Sequence, residues 1–147
     1  MFHHPLNPNS EAGFRSLSQI VGLNRIGLHL LRIPPGKESF VYHSHRTEEE
    51  FVYILSGRGI AEIGDETFEV GPGDFMGFPT PSIAHHLKNP LDEDLIYLSG
   101  GERKEAEIAD FPRINKRLVR YQQELMIYSM DGAAIWDLAE GIKSDPK

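Results

Sequence analysis

The sequence has no cysteine, which excludes a thiol nucleophile, a zinc-thiolate site and a disulfide framework. It has no apolar run long enough to span a bilayer as a helix, and Met1-Phe2-His3-His4-Pro5-Leu6-Asn7-Pro8 lacks the basic start and apolar core of a secretory signal. Basic residues are also in short supply. Fifteen Lys and Arg stand against 22 Asp and Glu, a net charge of −7 that disfavours nucleic acid and anionic membrane as partners. These absences leave a cytoplasmic protein with a small-molecule ligand as the expectation. A chain of 147 residues can bury a core without disulfides or a structural metal, so a metal bound here is expected to serve function.

An amphipathic helical period is missing from the middle of the chain, where short apolar runs alternate with Gly, Pro and Asp. That punctuation predicts strands over 26–33, 38–45, 49–55, 58–63, 66–70, 74–78, 83–89 and 94–99. Ser56-Gly57-Arg58-Gly59 and Gly64-Asp65-Glu66 supply tight turns, while Pro34-Pro35-Gly36 and Gly71-Pro72-Gly73-Asp74 punctuate the strands beside them. The reading is all-β, a barrel or jelly roll. An N-terminal arm over 1–18 is expected before a barrel over 19–130, followed by a C-terminal extension over 131–147 with a short helix near 133–141.

Alternate side chains of a strand share a face, so His43 and His45 place two imidazoles on one side, roughly 7 Å apart at their Cα atoms. One metal ion can bridge that gap. The same parity puts Ser39, Val41, Val52, Ile54, Ile83 and Leu87 on the inward face, and turns Phe40, Tyr42, Phe51 and Tyr53 outward, into the sandwich or a dimer interface. His3, His4 and His29 carry no assigned role, and Glu48 and Glu49 read as solvated loop acids.

The run Gly36-x6-His43-x-His45-x4-Glu50-x6-Gly57 resembles the first motif of the cupin superfamily, with one extra residue between the glycine and the first histidine. Gly73-Asp74-x4-Pro79 followed by His85-x3-Asn89 resembles the second, with a longer spacing after Pro79 and Pro81 where a glycine is expected. The resemblance implies a single cupin-type double-stranded β-helix whose metal ligands are His43, His45, Glu50 and His85. His85 is preferred to His86 because it meets the histidine-to-asparagine spacing and shares the more apolar strand face. Three imidazoles and a carboxylate suit one divalent transition metal, Mn, Fe, Zn, Ni or Co, and leave positions open for substrate.

The resemblance also implies a homodimer and a small polar metabolite as substrate, with a sugar-phosphate-isomerase-like activity ranked first. A metal-dependent dioxygenase or decarboxylase and a non-catalytic sugar- or effector-binding module are the alternatives, because fold does not select among them. An isomerase needs a base to move the proton and a cation to hold a phosphate, for which Arg32, Lys37, Arg58 and Lys88 are the candidates.

Overall fold

The structure, a computed structural model, describes residues 1–143. It is built almost wholly of antiparallel strands. These are β1 (Gly13–Ser16), β2 (Ile26–Ile33), β3 (Ser44–His45), β4 (Glu50–Ser56), β5 (Gly59–Ile63), β6 (Glu66–Val70), β7 (Phe75–Phe78) and β8 (His85–Lys88). The series continues with β9 (Leu95–Glu102), β10 (Ala106–Phe111), β11 (Lys116–Tyr121), β12 (Glu124–Ser129), β13 (Ile135–Asp137) and β14 (Gly141–Lys143). A helical turn, Leu17–Ile20, follows β1, and a 3-10 turn, Pro112–Ile114, follows β10. No helix among the described residues is long and apolar enough to cross a membrane.

A five-stranded sheet runs β1-β2-β9-β4-β7, a three-stranded sheet β6-β5-β8 and a four-stranded sheet β12-β11-β10-β3. The first two share one core. Leu31 and Ile33 of β2, Val52 and Ile54 of β4, and Leu95 and Tyr97 of β9 meet Ala61, Val70 and Leu87 of the smaller sheet. Period-two alternation produces this arrangement, because each strand sends every second side chain inward. Burying a Leu or Ile side chain contributes about 1.5–3 kcal/mol, so a core this continuous dominates the stability of the jelly roll.

Two motif residues have clear structural duties. Gly57 turns between β4 and β5 at φ 75°, and a Cβ there would run into the carbonyl of Asp94, so only glycine fits. Asn89, 1% exposed, donates from Nδ2 to the carbonyls of Ile33 (2.8 Å) and Glu93 (2.7 Å) and accepts the Leu91 N–H, tying the end of β8 to β2.

Three segments of the backbone depart from the sequence reading. Only Ser44–His45 of the expected 38–45 strand is regular; the rest runs beside β8 through isolated bridges, Glu38 to Lys88 and His43 to His85. The short helix expected near 133–141 is absent: β13 and β14 pair antiparallel there, turned by Gly141 at φ 86°. Within the segment read as an arm, Gly13–Ser16 is an edge strand paired with β2. Phe2 also exchanges backbone hydrogen bonds with Ala12.

Candidate metal centre

His43 and His85 face each other across an antiparallel bridge, each N–H donating to the other's carbonyl at 3.1 and 2.8 Å. Glu50 opens β4, and its neighbour in β9, Gly101, has no side chain to crowd it; a Cβ at Gly101 would strike the Glu49 carbonyl. The loop after β7 anchors β3: Ser82 Oγ accepts the His45 N–H at 2.7 Å, and the Ser82 N–H donates to the His45 carbonyl at 2.8 Å. These three backbone constraints bring four side chains to one point. The ligand atoms of His43, His45, Glu50 and His85 lie within 4.8 Å of one another.

Glu50 Oε2 sits 2.9 Å from His85 Nε2, 3.1 Å from His45 Nε2 and 3.8 Å from His43 Nε2. The other face of each imidazole is fixed. Nδ1 of His43 lies 2.6 Å from the Val41 carbonyl and Nδ1 of His85 lies 2.9 Å from the Ile83 carbonyl, so both rings carry their proton on Nδ1 and offer Nε2 as a lone pair. Ser99 donates to Glu50 Oε1 at 3.1 Å, and the ring of Phe78 stacks on His85 at 3.6 Å between centroids. Burial penalises the Glu50 charge, but the three imidazoles gathered around it hold its carboxyl well below the usual range. Burial likewise depresses His43. At His45 burial acts the same way, but Glu50, Glu107 and Glu48 outweigh it and raise the pKa. An ionised carboxylate and three convergent ring nitrogens fit a divalent transition metal in both number and donor type.

Space around the group is unequal. On the core side, the cavity between Val52, Met76, Phe78, Leu87 and Tyr97 holds only about 20 Å³, room for about one water. On the other side two larger cavities reach His45. An apolar one of about 220 Å³ is walled by Phe40, Ala109, Phe111, Leu118 and Leu125 beside His43 and His45. A polar one of about 200 Å³ lies among Gly27, His29, Ser99, Gly101, Arg103 and Glu50. His45, Glu48 and Arg120 line both, and so form the partition between them.

The family model for the cupin domain matches residues 29–100. A crystal structure from Acidithiobacillus ferrooxidans, described provisionally as a sugar phosphate isomerase, superposes with a TM-score of 0.89 at 39% identity, covering 92% of this chain and 87% of the other. The chain belongs to the cupin family. A sugar phosphate isomerase of the cupin superfamily from Silicibacter pomeroyi superposes on this cupin with a TM-score of 0.82 over 89% of the chain and 85% of its own; at 24% identity that likeness speaks for the fold alone. An uncharacterised protein of Methanocaldococcus jannaschii is 40% identical over 57 residues, 39% of this chain, and the match spans 44% of that protein's length.

In this cupin His86 stays outside the cluster of His43, His45, Glu50 and His85. Its Nε2 lies 3.1 Å from the Phe40 carbonyl and its Nδ1 3.4 Å from Glu62, on the opposite face of β8. Ile83, expected to face inward, is 64% exposed, because β8 begins only at His85 and strand parity does not extend into the loop before it. Phe40, expected to face away, lines the cavities beside His43, since its segment is not a regular strand. Tyr42 and Tyr53 do face away: the Arg113 guanidinium lies 3.8 Å over the Tyr42 ring, and Tyr53 is 38% exposed.

The four cations that were candidates to hold a phosphate are engaged elsewhere. Arg32 pairs with Asp94 (2.9 Å), Lys37 with Glu11 (3.4 Å), Arg58 with Glu69 (2.6 Å) and Lys88 with Glu62 (2.9 Å). Glu48 is not a solvated loop acid, being paired with Arg120 and only 12% exposed. His4, given no role from sequence, lines the apolar cavity; the arm is pinned there by Asn7 Nδ2 on the Phe40 carbonyl (2.6 Å) and Ser10 Oγ on the Ser39 carbonyl (2.6 Å). No periodic signal marks His4, Arg103 or Arg120, which reach the site only through tertiary packing.

Proposed function

We propose that this cupin is a metal-dependent isomerase of small phosphorylated sugars, with His43, His45, Glu50 and His85 holding one divalent transition metal. The observation that carries the reading is the polar cavity beside His45 and Glu50, whose Ser99, His29 and arginine groups suit a hydroxylated, anionic ligand. The full-length likeness to the Acidithiobacillus protein supports it. The bound metal would supply a Lewis acid that polarises a carbonyl and its neighbouring hydroxyl.

The protein's own groups do the rest. With room for only about one water on the core side, substrate approaches from the side of His45 and Arg120. Glu48 lines both outer cavities without belonging to the four ligands, and is assigned the proton transfer between adjacent carbons. His4 accepts the Leu6 N–H on Nδ1, so its neutral ring presents Nε2–H as a donor; burial, then the nearby His43, lowers its pKa and keeps it neutral at pH 7. A homodimer remains part of this reading, to be checked by sedimentation equilibrium.

The test is conversion of aldose phosphates by the metal-loaded protein in D2O, followed by proton NMR. Formation of the ketose phosphate, with any deuterium appearing at the carbons between which the proton moves, is expected. No conversion across three- to six-carbon phosphates would overturn the reading. The apolar wall of Phe40, Phe111, Leu118 and Leu125 favours a second reading, a dioxygenase that shields reactive intermediates, which oxygen uptake with phenolic or thiol substrates would reveal.

A further inference from the structure

The polar cavity carries groups that no metal ligand accounts for. Its floor is glycine: Gly27 of β2 pairs with Gly101 of β9, so the backbone lies bare between His29 and Arg103. A Cβ at Gly27 would meet His29 Nε2 at 3.3 Å and Arg103 Cγ at 3.6 Å, which places both side chains directly above that floor. Three of the lining residues hold buried nitrogens that lack a hydrogen-bond partner among the described residues, Nδ1 of His29, Nδ1 of His45 and Nε of Arg120. Buried polar groups left unsatisfied are costly, so a polar group supplied from outside the chain relieves them.

The acids around the cavity do not answer these donors. Glu48 is engaged by Arg120 and by the Lys104 N–H, and Glu102 by the Glu49 N–H (3.0 Å) and Lys104 Nζ (3.4 Å). Glu50 faces the imidazoles, and Glu49 is exposed to water. Arg103 has no ion-pair partner among the described residues. The cavity therefore presents one unpaired guanidinium, one partly engaged guanidinium with a free N–H, and an imidazole, all beside Glu50 and His45.

We propose that the cavity floored by Gly27 and Gly101 and walled by His29, Arg103 and Arg120 receives the phosphate group of the substrate. A phosphate has three acceptor oxygens and a charge near −2, and a guanidinium fork matches its geometry. The assignment rests on the isomerase reading for the rest of the substrate, but the anion site itself does not depend on turnover. Phosphate seated there puts the adjoining carbons of a short sugar at the partition formed by His45 and Glu48.

Titration calorimetry of the metal-loaded full chain with inorganic phosphate tests this without any turnover. Arg103 is exposed, so Arg103→Gln leaves packing intact; His29→Phe keeps the ring that lies 4.6 Å from Phe14 while removing both nitrogens. Phosphate affinity is expected to fall roughly tenfold or more in Arg103→Gln, and to fall in His29→Phe, with unchanged metal content. Phosphate binding equal to wild type in Arg103→Gln would overturn the proposal, since phosphate held by the metal alone would not sense this residue. If wild type binds phosphate through Arg103 yet converts no aldose phosphate, the anion site stands and the isomerase reading falls.

Discussion

Glu107 Oε1 stands 3.8 Å from His45 Nδ1, whereas the Nδ1 atoms of His43 and His85 are held by backbone carbonyls. The buried carboxylate, 4% exposed, is itself fixed by the Arg46 N–H at 3.0 Å and the Thr47 hydroxyl at 2.6 Å. His45 is thus the one imidazole of the three with an acid beside its Nδ1, and at this distance that nitrogen makes no hydrogen bond. A carboxylate that hydrogen-bonds a ligating imidazole is worth about 10–100-fold in metal affinity, and the prediction is that Glu107 closes this gap when metal binds. Glu107→Gln keeps an acceptor for the Arg46 N–H but removes the charge, and a drop of that order is expected in competition with a chelating dye. Unchanged affinity would mean that Glu107 serves only the backbone of residues 46–47.

Gly101→Ala is expected to destabilise the fold by about 1–3 kcal/mol, because the new methyl runs into the Glu49 carbonyl and forces β9 away from β4. Urea unfolding measures it. The displaced strand carries Glu50's neighbour, so metal affinity should fall as well; a variant as stable as wild type would show that the two strands part easily here.

Glu62 lies on the far face of β5, 2.8 Å from Arg113 and 2.9 Å from Lys88. Burial alone would raise its pKa from 4.5, but these two cations bring it to about 2. A folded-state pKa below the unfolded value means that the stabilisation is complete above about pH 4.5 and is lost as pH falls toward 2. Wild-type stability should therefore drop over that window, with a shallower slope in Glu62→Gln. Identical slopes would remove Glu62 from the account of acid sensitivity.

Glu48→Gln tests the assigned proton transfer. Conversion and solvent exchange should fall by about 100-fold or more while metal stoichiometry is retained. Retained exchange would move the role to another group, and lost metal would make Glu48 part of the metal's support.

Much of this site could be read from the chain, for identifiable reasons. β2 spans 26–33 as expected because a run of apolar residues between turn signals specifies a strand locally. His43, His45, Glu50 and His85 converge because two sequence motifs position them, and the geometry brings the four together. What escaped depends on tertiary packing. Arg32, Lys37, Arg58 and Lys88 are close to the ligands in sequence but pair with acids elsewhere, while Arg103 and Arg120 come from the end of β9 and from β11. His4 arrives on a segment without periodicity, held by side-chain bonds from Asn7 and Ser10 and by backbone bonds to Glu38. The terminal helix failed because apolar residues such as Ile135, Trp136 and Ile142 serve a hairpin as readily as a helix, and pairing decided between them.

The central claim is that His43, His45, Glu50 and His85 hold one metal ion, and elemental analysis of the untagged protein tests it most directly. About one equivalent of a transition metal is expected after supplementation, with near-complete loss in His43→Ala and retention in His86→Ala. Metal content unchanged in His43→Ala, or lost in His86→Ala and kept in His85→Ala, would contradict the assignment.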